Sequence, residues 1–203
     1  MDTGIRNTLL GIAAFISVIL GLLVASVMIP RPMTAEEMQQ LGLYRFDHPR
    51  DIDQFSMVDQ LGQDVDLSVF KGQWTLVFFG FTTCPDICPT TLSVLNEAVR
   101  DLDQPPQVVM ITVDHERDTP DKLNRYVPAF NASFRGFTGS FEQTVSLAEQ
   151  MNVAFGKIPG PEPGTYTMDH TASIVLVDPE GRYTGFIKAP HRADHIKKIL
   201  QTL

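Results

Sequence analysis

The chain has 203 residues, 43% of them hydrophobic, with a formal charge of −8 and a pI near 5.0. That length suffices for one sizeable core plus a tail, and the acidic balance without clustered Lys or Arg argues against a nucleic-acid partner. Glycine and proline, at 14 each, stand near ordinary usage, which removes collagen-like and low-complexity readings.

From Leu9 to Ile29 there is no charged residue, and a helix over that run crosses ~30 Å of hydrocarbon at ~1.5 Å per residue. A cleaved leader usually has only about 7–15 apolar residues, so the sequence predicts an uncleaved transmembrane anchor over residues 1–30. Ala25-Ser26-Val27 is a poor cleavage site, and no cysteine follows it to accept a lipid. Arg6 on one side and Arg31 beside Glu36 and Glu37 on the other bias orientation only weakly. An amino-terminal anchor ahead of a folded domain most often leaves that domain outside the cytoplasm. The expected location is the inner (cytoplasmic) membrane, single-pass, with the domain facing the periplasm, or the mitochondrial intermembrane space in a eukaryote. There a nearby thiol pair oxidises unless it is kept reduced or metallated.

Residues 31–50, with Glu36-Glu37 and Gln39-Gln40 after Pro30-Arg31-Pro32, read as a juxtamembrane linker with room for one helical turn, and residues 51–203 as the folded domain. Phe55–Val58 and Val65–Leu67 flank a glycine-containing turn and predict a small hairpin. Trp74–Phe79 is a continuous apolar run suited to a strand buried on both faces. Leu92, Leu95, Val99 and Leu102 recur at helical spacing, which predicts a helix from Pro89 to about Asp103. Val108–Val113 is the next strand, and Asp118-Thr119-Pro120 supplies a cap and a first-turn proline for a helix over Asp121–Phe130. Phe141, Val145, Ala148 and Met151 mark another helix. Ser173–Val177 and Arg182–Ile187 form a hairpin, and Ile196, Ile199, Leu200 and Leu203 a closing helix. This order predicts an α/β, thioredoxin-like domain behind an N-terminal transmembrane helix.

Cys84 and Cys88 are the only cysteines, placed between the buried strand and the following helix in Phe81-Thr82-Thr83-Cys84-Pro85-Asp86-Ile87-Cys88-Pro89-Thr90. Thiols four residues apart can close on one soft metal ion or on each other. A structural disulfide closing so short a loop stabilises little. Thioredoxin-type redox sites have two residues between their cysteines. The three here put the sulfurs about one helical turn apart, and Pro85 and Pro89 stiffen the loop. The helix amino end favours thiolate over thiol and so prepares both sulfurs.

Two thiolates can hold linear copper(I), and a second oxidation state wants a nitrogen ligand, for which His170, on the loop entering the Ser173 strand, is the candidate. Catalytic zinc would accept the same three groups plus water, so the residues alone leave the metal open. Met168 is a soft fourth ligand or core. Asp86 and Asp169 tune the site or are solvated loop acids, Asp114 is a partner contact and Asp118 a helix cap. His48, His191 and His195 read as surface residues. Trp74, Phe78, Phe79 and Phe81 read as a core aromatic cluster, with Phe81 shielding the site.

Phe-Thr-Thr-Cys84-Pro-Asp-Ile-Cys88-Pro-Thr, Val113-Asp114 with Arg117-Asp118-Thr119-Pro120, and Asp169-His170-Thr171 with Asp178-Pro179-Glu180-Gly181 resemble, in order, the signatures of the Sco/SenC copper-delivery proteins. The resemblance runs from about Phe55 to the C-terminus. It implies copper, Cu(I) or Cu(II), held by Cys84, Cys88 and His170. It also implies a metallochaperone role toward the copper-bearing subunit of cytochrome c oxidase, whose dinuclear copper centre the family helps to assemble. His115 departs from the family pattern, which commonly has proline there, and is either an auxiliary ligand or an exposed loop histidine.

The alternative is an enzyme: a thiol:disulfide oxidoreductase that reduces the acceptor's cysteines, with Cys84 attacking and Cys88 resolving. Against it, Asp169-His170-Thr171-Ala172 lacks the proline that thioredoxin enzymes place opposite their disulfide, and a reductase has no need of His170. A single-thiol peroxidase would use neither the second cysteine nor the histidine.

Overall fold

The computed structural model describes residues 2–28 and 33–203, so Ile29 at the end of the expected anchor and Pro30-Arg31-Pro32 lie outside the described residues. The chain divides into two compact units, Met1–Met33 and Thr34–Leu203. The first is one helix, α1 (Thr3–Met28), long and apolar enough to cross a bilayer. Leu9, Phe15 and Leu22 are exposed along it. The Thr8 and Ser17 hydroxyls donate back to the carbonyls of Gly4 and Ala13 at 3.0 and 2.9 Å, so these polar groups are satisfied within the helix, as hydrocarbon requires.

The second unit opens with α2 (Ala35–Gln40), which starts on a reciprocal cap. The Glu37 amide donates to the Thr34 hydroxyl and the Thr34 amide to the Glu37 carboxylate. β1 (Leu43–Arg50) follows, then the hairpin β2 (Met57–Asp59) and β3 (Asp64–Val65), then β4 (Thr75–Gly80) and α3 (Ile87–Val99). β5 (Gln107–Thr112), α4 (Pro120–Tyr126), β6 (Arg135–Thr138) and α5 (Phe141–Gln150) come next. The chain ends with β7 (Phe155–Pro159), β8 (Tyr166–His170), β9 (Ile174–Val177), β10 (Tyr183–Ile187) and α6 (Ala193–Leu200).

Among the described residues, eight strands form one mixed sheet in the order β1-β10-β9-β4-β5-β6-β2-β3, while β7 and β8 pair only with each other. β4 is buried throughout and sits centrally, parallel to β5 and antiparallel to β9. Leu92, Leu95 and Val99 of α3 and Ile196 and Ile199 of α6 are buried, and the two helices lie against each other. The thioredoxin-like reading of this α/β order therefore holds.

Three expectations are corrected. The linker predicted over 31–50 is, from Thr34 onward, a capped helix and a strand paired antiparallel with β10. Its polarity is that of an edge strand with little of its surface covered, since of its side chains only Leu43 is fully buried. The helix predicted to run to Phe130 ends at Tyr126 and continues as a 3-10 turn over Val127–Ala129, where Pro128 has no N–H to extend the helix. Asp118 caps nothing: Thr119 caps α4, accepting from the Lys122 amide, and Asp118 turns inward, fully buried.

Asp118 binds the ends of β4 and β5 together. Its carboxyl oxygens accept from the Thr82 amide at 2.8 Å, the Thr82 hydroxyl at 2.6 Å and the Thr112 hydroxyl at 2.7 Å. Replacing Asp118 with Ala strips these donors of their acceptor. We expect a loss of about 3 kcal/mol in urea unfolding of residues 34–203, with an unchanged denaturant slope. A wild-type midpoint would contradict this role.

Candidate metal centre

β4 delivers the chain to the site at Gly80, and the geometry there requires glycine. A Cβ on that residue would lie 2.7 Å from a ring carbon of Phe78 and 3.1 Å from the Cys88 sulfur. Phe81 is buried, the Cys84 amide turns back to the Phe81 carbonyl at 3.3 Å, and α3 begins at Ile87. Cys88 is thus the second residue of the helix and is fully buried, whereas Cys84 precedes the helix and is half-buried. The Cys88 amide, one of the first-turn donors without a helical partner, points at the Cys84 sulfur at 3.4 Å.

His170 reaches this loop from 82 residues downstream, with Nε2 3.6 Å from the Cys88 Sγ. The ligating atoms of Cys84, Cys88 and His170 all lie within 4.8 Å of one another. The imidazole sits between the rings of Phe78 and Phe81, edge-to-face at 5.7 and 5.9 Å between centroids. Its Nδ1 is 3.2 Å from the Thr171 carbonyl, which can only accept. Nδ1 therefore carries the proton, and the Nε2 lone pair faces the sulfurs. Burial pulls the His170 pKa below its ordinary value against the opposing pull of the Thr171 carbonyl and Asp169, so the ring is neutral at pH 7.

For Cys88, burial decides the charge as well. It pushes the thiol far above its ordinary value, the Phe81 backbone opposes this, and Cys84 and Asp118 reinforce it. The expectation that the helix end prepares both sulfurs as thiolates is thus corrected for Cys88, where desolvation outweighs the helix field.

The remaining candidates fall elsewhere. Met168 is buried and His115 half-buried, and both line a cavity of about 490 Å³ with Val113, Phe141 and Phe155. His115 packs on Phe141 at 5.6 Å between centroids. Asp86 precedes α3 without capping it, and Asp169 is exposed. Asp114, expected as a partner contact, is instead buried and accepts from the Tyr166 hydroxyl at 2.8 Å.

His48 is exposed, and His195 is half-buried in α6. His191, expected at the surface, is half-buried, its Nε2–H donating to the Ala172 carbonyl at 2.7 Å just beyond the site histidine. Trp74 is partly exposed, away from the core cluster of Phe78, Phe79 and Phe81, because it precedes β4 and borders a cavity with Pro105 and Pro106. Gly80 carries a signal of its own in the sequence, because a glycine at the end of an apolar strand run marks a close approach.

The molecule is a thioredoxin-like domain in which a strand-to-helix loop offers two thiols and a hairpin end offers an imidazole, a donor set whose chemistry suits one soft ion. Residues 46–203 match the SCO1/SenC family, and the chain belongs to that family. A protein of Stutzerimonas stutzeri described as a candidate copper-binding protein is 37% identical over 168 residues, 80% of this chain and 81% of that protein. The mitochondrial SCO2 homolog of Mus musculus is 40% identical over 152 residues, 72% of this chain but 60% of the mouse protein. The crystal structure of Arabidopsis thaliana ScoI with copper bound is similar at a TM-score of 0.69 and 33% identity, covering 73% of this chain and 94% of that one.

The unequal burial of the thiols has a direct readout. Iodoacetamide at pH 8 should modify Cys84 roughly ten-fold faster than Cys88 in the folded, reduced protein, as followed by peptide mass spectrometry. Equal rates would contradict the placement of Cys88.

Proposed function

We propose that this protein is a membrane-anchored copper metallochaperone in which Cys84, Cys88 and His170 hold the ion. The convergence of these three donors within 4.8 Å carries the reading. Two sulfurs and one imidazole suit copper(I), and the nitrogen extends the set toward copper(II). The copper bound by the Arabidopsis relative supports this choice over zinc. By family resemblance, the acceptor is the copper-bearing subunit of cytochrome c oxidase, at its dinuclear copper centre. α1 tethers the carrier to the inner membrane, with the domain in the periplasm or, in a eukaryote, the intermembrane space. Delivery is ligand exchange: acceptor thiolates enter as His170 and then the sulfurs leave, with no net redox change.

Copper(I) titrated anaerobically into residues 34–203 should bind at one equivalent. Cys84→Ser, Cys88→Ser and His170→Ala should each lower the affinity at least about ten-fold while leaving the circular dichroism unchanged. Full retention in the histidine variant would remove His170 from the ligand set.

Binding is also proton-linked. Because burial keeps Cys88 protonated, copper must displace that proton, so apparent affinity rises with pH. Burial lowers the His170 pKa, so His170 adds less slope in this range than an ordinary imidazole would. Between pH 6.5 and 8.5 the logarithm of the affinity should gain at least about one per pH unit in chelator competition, after correction for the chelator's own protonation. A flat profile would contradict ligation by Cys88.

One observation favours a second role, reduction of the acceptor's disulfide. Cys84 is half-exposed, with an amide donor 3.4 Å from its sulfur. Its thiolate would attack one acceptor sulfur, releasing the other as a thiol. Cys88 would then displace the mixed disulfide, leaving Cys84–Cys88 oxidised and the acceptor reduced. Disulfide exchange retained in His170→Ala would support this role, and its loss there would count against it.

A further inference from the structure

Among the described residues, β7 and β8 pair with each other and with no strand of the main sheet, so sheet register does not fix where His170 lies. At the His170 end, the hairpin is closed by the Thr171 amide on the Ala154 carbonyl at 2.8 Å and the Ala154 amide on the Thr171 hydroxyl at 3.1 Å. At the Tyr166 end, the grip comes from side chains of the loop between β5 and α4. Arg117 Nη1 donates to the Tyr166 carbonyl at 3.0 Å, and the guanidinium lies 3.9 Å over the Tyr166 ring. The Tyr166 hydroxyl donates to Asp114 at 2.8 Å and lies 3.3 Å from Glu116. On β7, Lys157 pairs with Glu116 at 2.6 Å and sits 4.6 Å from the Tyr166 ring centroid. Asp114 is fully buried and also accepts from Arg117 Nε.

We propose that Asp114, Arg117 and Tyr166 form a latch that positions His170 against Cys88 and thereby sets how tightly the site holds copper and how fast it releases it. The proposal rests on the copper reading above. Tyr166 and His170 are the two ends of one five-residue strand and share a face, since side chains repeat every second residue. Tilting the strand at Tyr166 therefore moves the imidazole, and metal–nitrogen bonds near 2.0–2.1 Å tolerate little movement. Within the contact set, the exposed Lys157–Glu116 pair contributes little, while the buried Asp114 carboxylate needs both Arg117 and the phenol. Burial and Asp114 push the Tyr166 phenol up to about 12, so it remains a donor at any working pH.

The test uses the full chain in detergent, with wild type, Tyr166→Phe, Arg117→Lys, His170→Ala and the Tyr166→Phe/His170→Ala double variant. Copper(I) affinity by chelator competition should fall about ten-fold in Tyr166→Phe and in Arg117→Lys. Tyr166→Phe should have no further effect once His170 is Ala, because the latch acts through that ring. In the metal-free protein, amide exchange should quicken across residues 155–170 of both latch variants, while β4 and β5 stay protected.

Wild-type affinity in both variants, or an equal loss with and without His170, overturns the latch. If one variant loses β4 and β5 protection, the other decides. If wild type takes up no copper, the carrier reading fails, and unchanged hairpin exchange in the variants would overturn the latch separately.

Discussion

The register of β4 with its two neighbours is the constraint on which the rest of the molecule depends. Phe78 stands opposite Ile174 in antiparallel β9, and Gly80 opposite Thr112 in parallel β5. The carboxyl ends of β4 and β5 and the amino end of β9 therefore meet at one edge of the sheet. From these three strand ends run the cysteine loop, the loop from Thr112 to Asp118, and the segment back to His170. Asp118 fixes that end of the sheet by binding Thr82 and Thr112 together, and the β7–β8 hairpin, which leads into β9 there, carries His170 across 82 residues of chain to within 3.6 Å of the Cys88 sulfur. A slip of one residue in β4 would turn every side chain to the opposite face, removing Phe78 from the imidazole it supports.

Within that edge, two electrostatic effects oppose each other. A helix amino end carries about half a positive charge and stabilises an anion by about 0.3–1 kcal/mol, whereas full burial moves a pKa by up to 3–5 units, at about 1.4 kcal/mol each. For Cys88 the second effect wins, and burial likewise keeps His170 uncharged. The metal-free cluster thus buries a neutral thiol and a neutral imidazole, avoiding an unpaired charge in its interior. On the proposed reading, an arriving cation exchanges for the Cys88 proton, so the buried site gains less net charge than the ion alone would bring.

Much of this was legible in the sequence because the central strands are buried on both faces and so appear as continuous apolar runs. Val108–Val113 and Trp74–Phe79 are such runs, and β5 and β4 fall within a residue of them. β1 and the β7–β8 hairpin were not legible, for the corresponding reason: they are exposed over most of their length and carry Pro49, Gly156 and Pro159. β6 gives too short a pattern to read, at four residues that include Gly136. The cysteine pair and His170 could be read from composition and motif, but the duties of Asp114 and Asp118 could not. Their donors Tyr166 and Thr82 lie 52 and 36 residues away, and a carboxylate's role follows from what folding brings to it.

The three donors are not anchored alike, and this asymmetry suits a carrier better than a permanent metal site. Cys88 lies inside a core helix against Gly80, where a methyl group would not fit, and Cys84 shares its loop. The imidazole rides on a hairpin outside the main sheet, tied to it by side chains rather than by a strand ladder. A set of equally rigid ligands would have to break several bonds together before an acceptor could enter. With fixed sulfurs and one adjustable nitrogen, the proposed exchange would begin at the donor least costly to move, the sulfurs keeping the ion bound until an incoming thiolate takes the vacated position. On the proposed carrier reading, the division between a close-packed thiol loop and a separately held hairpin would let the site retain its ion between encounters and surrender it stepwise when an acceptor arrives.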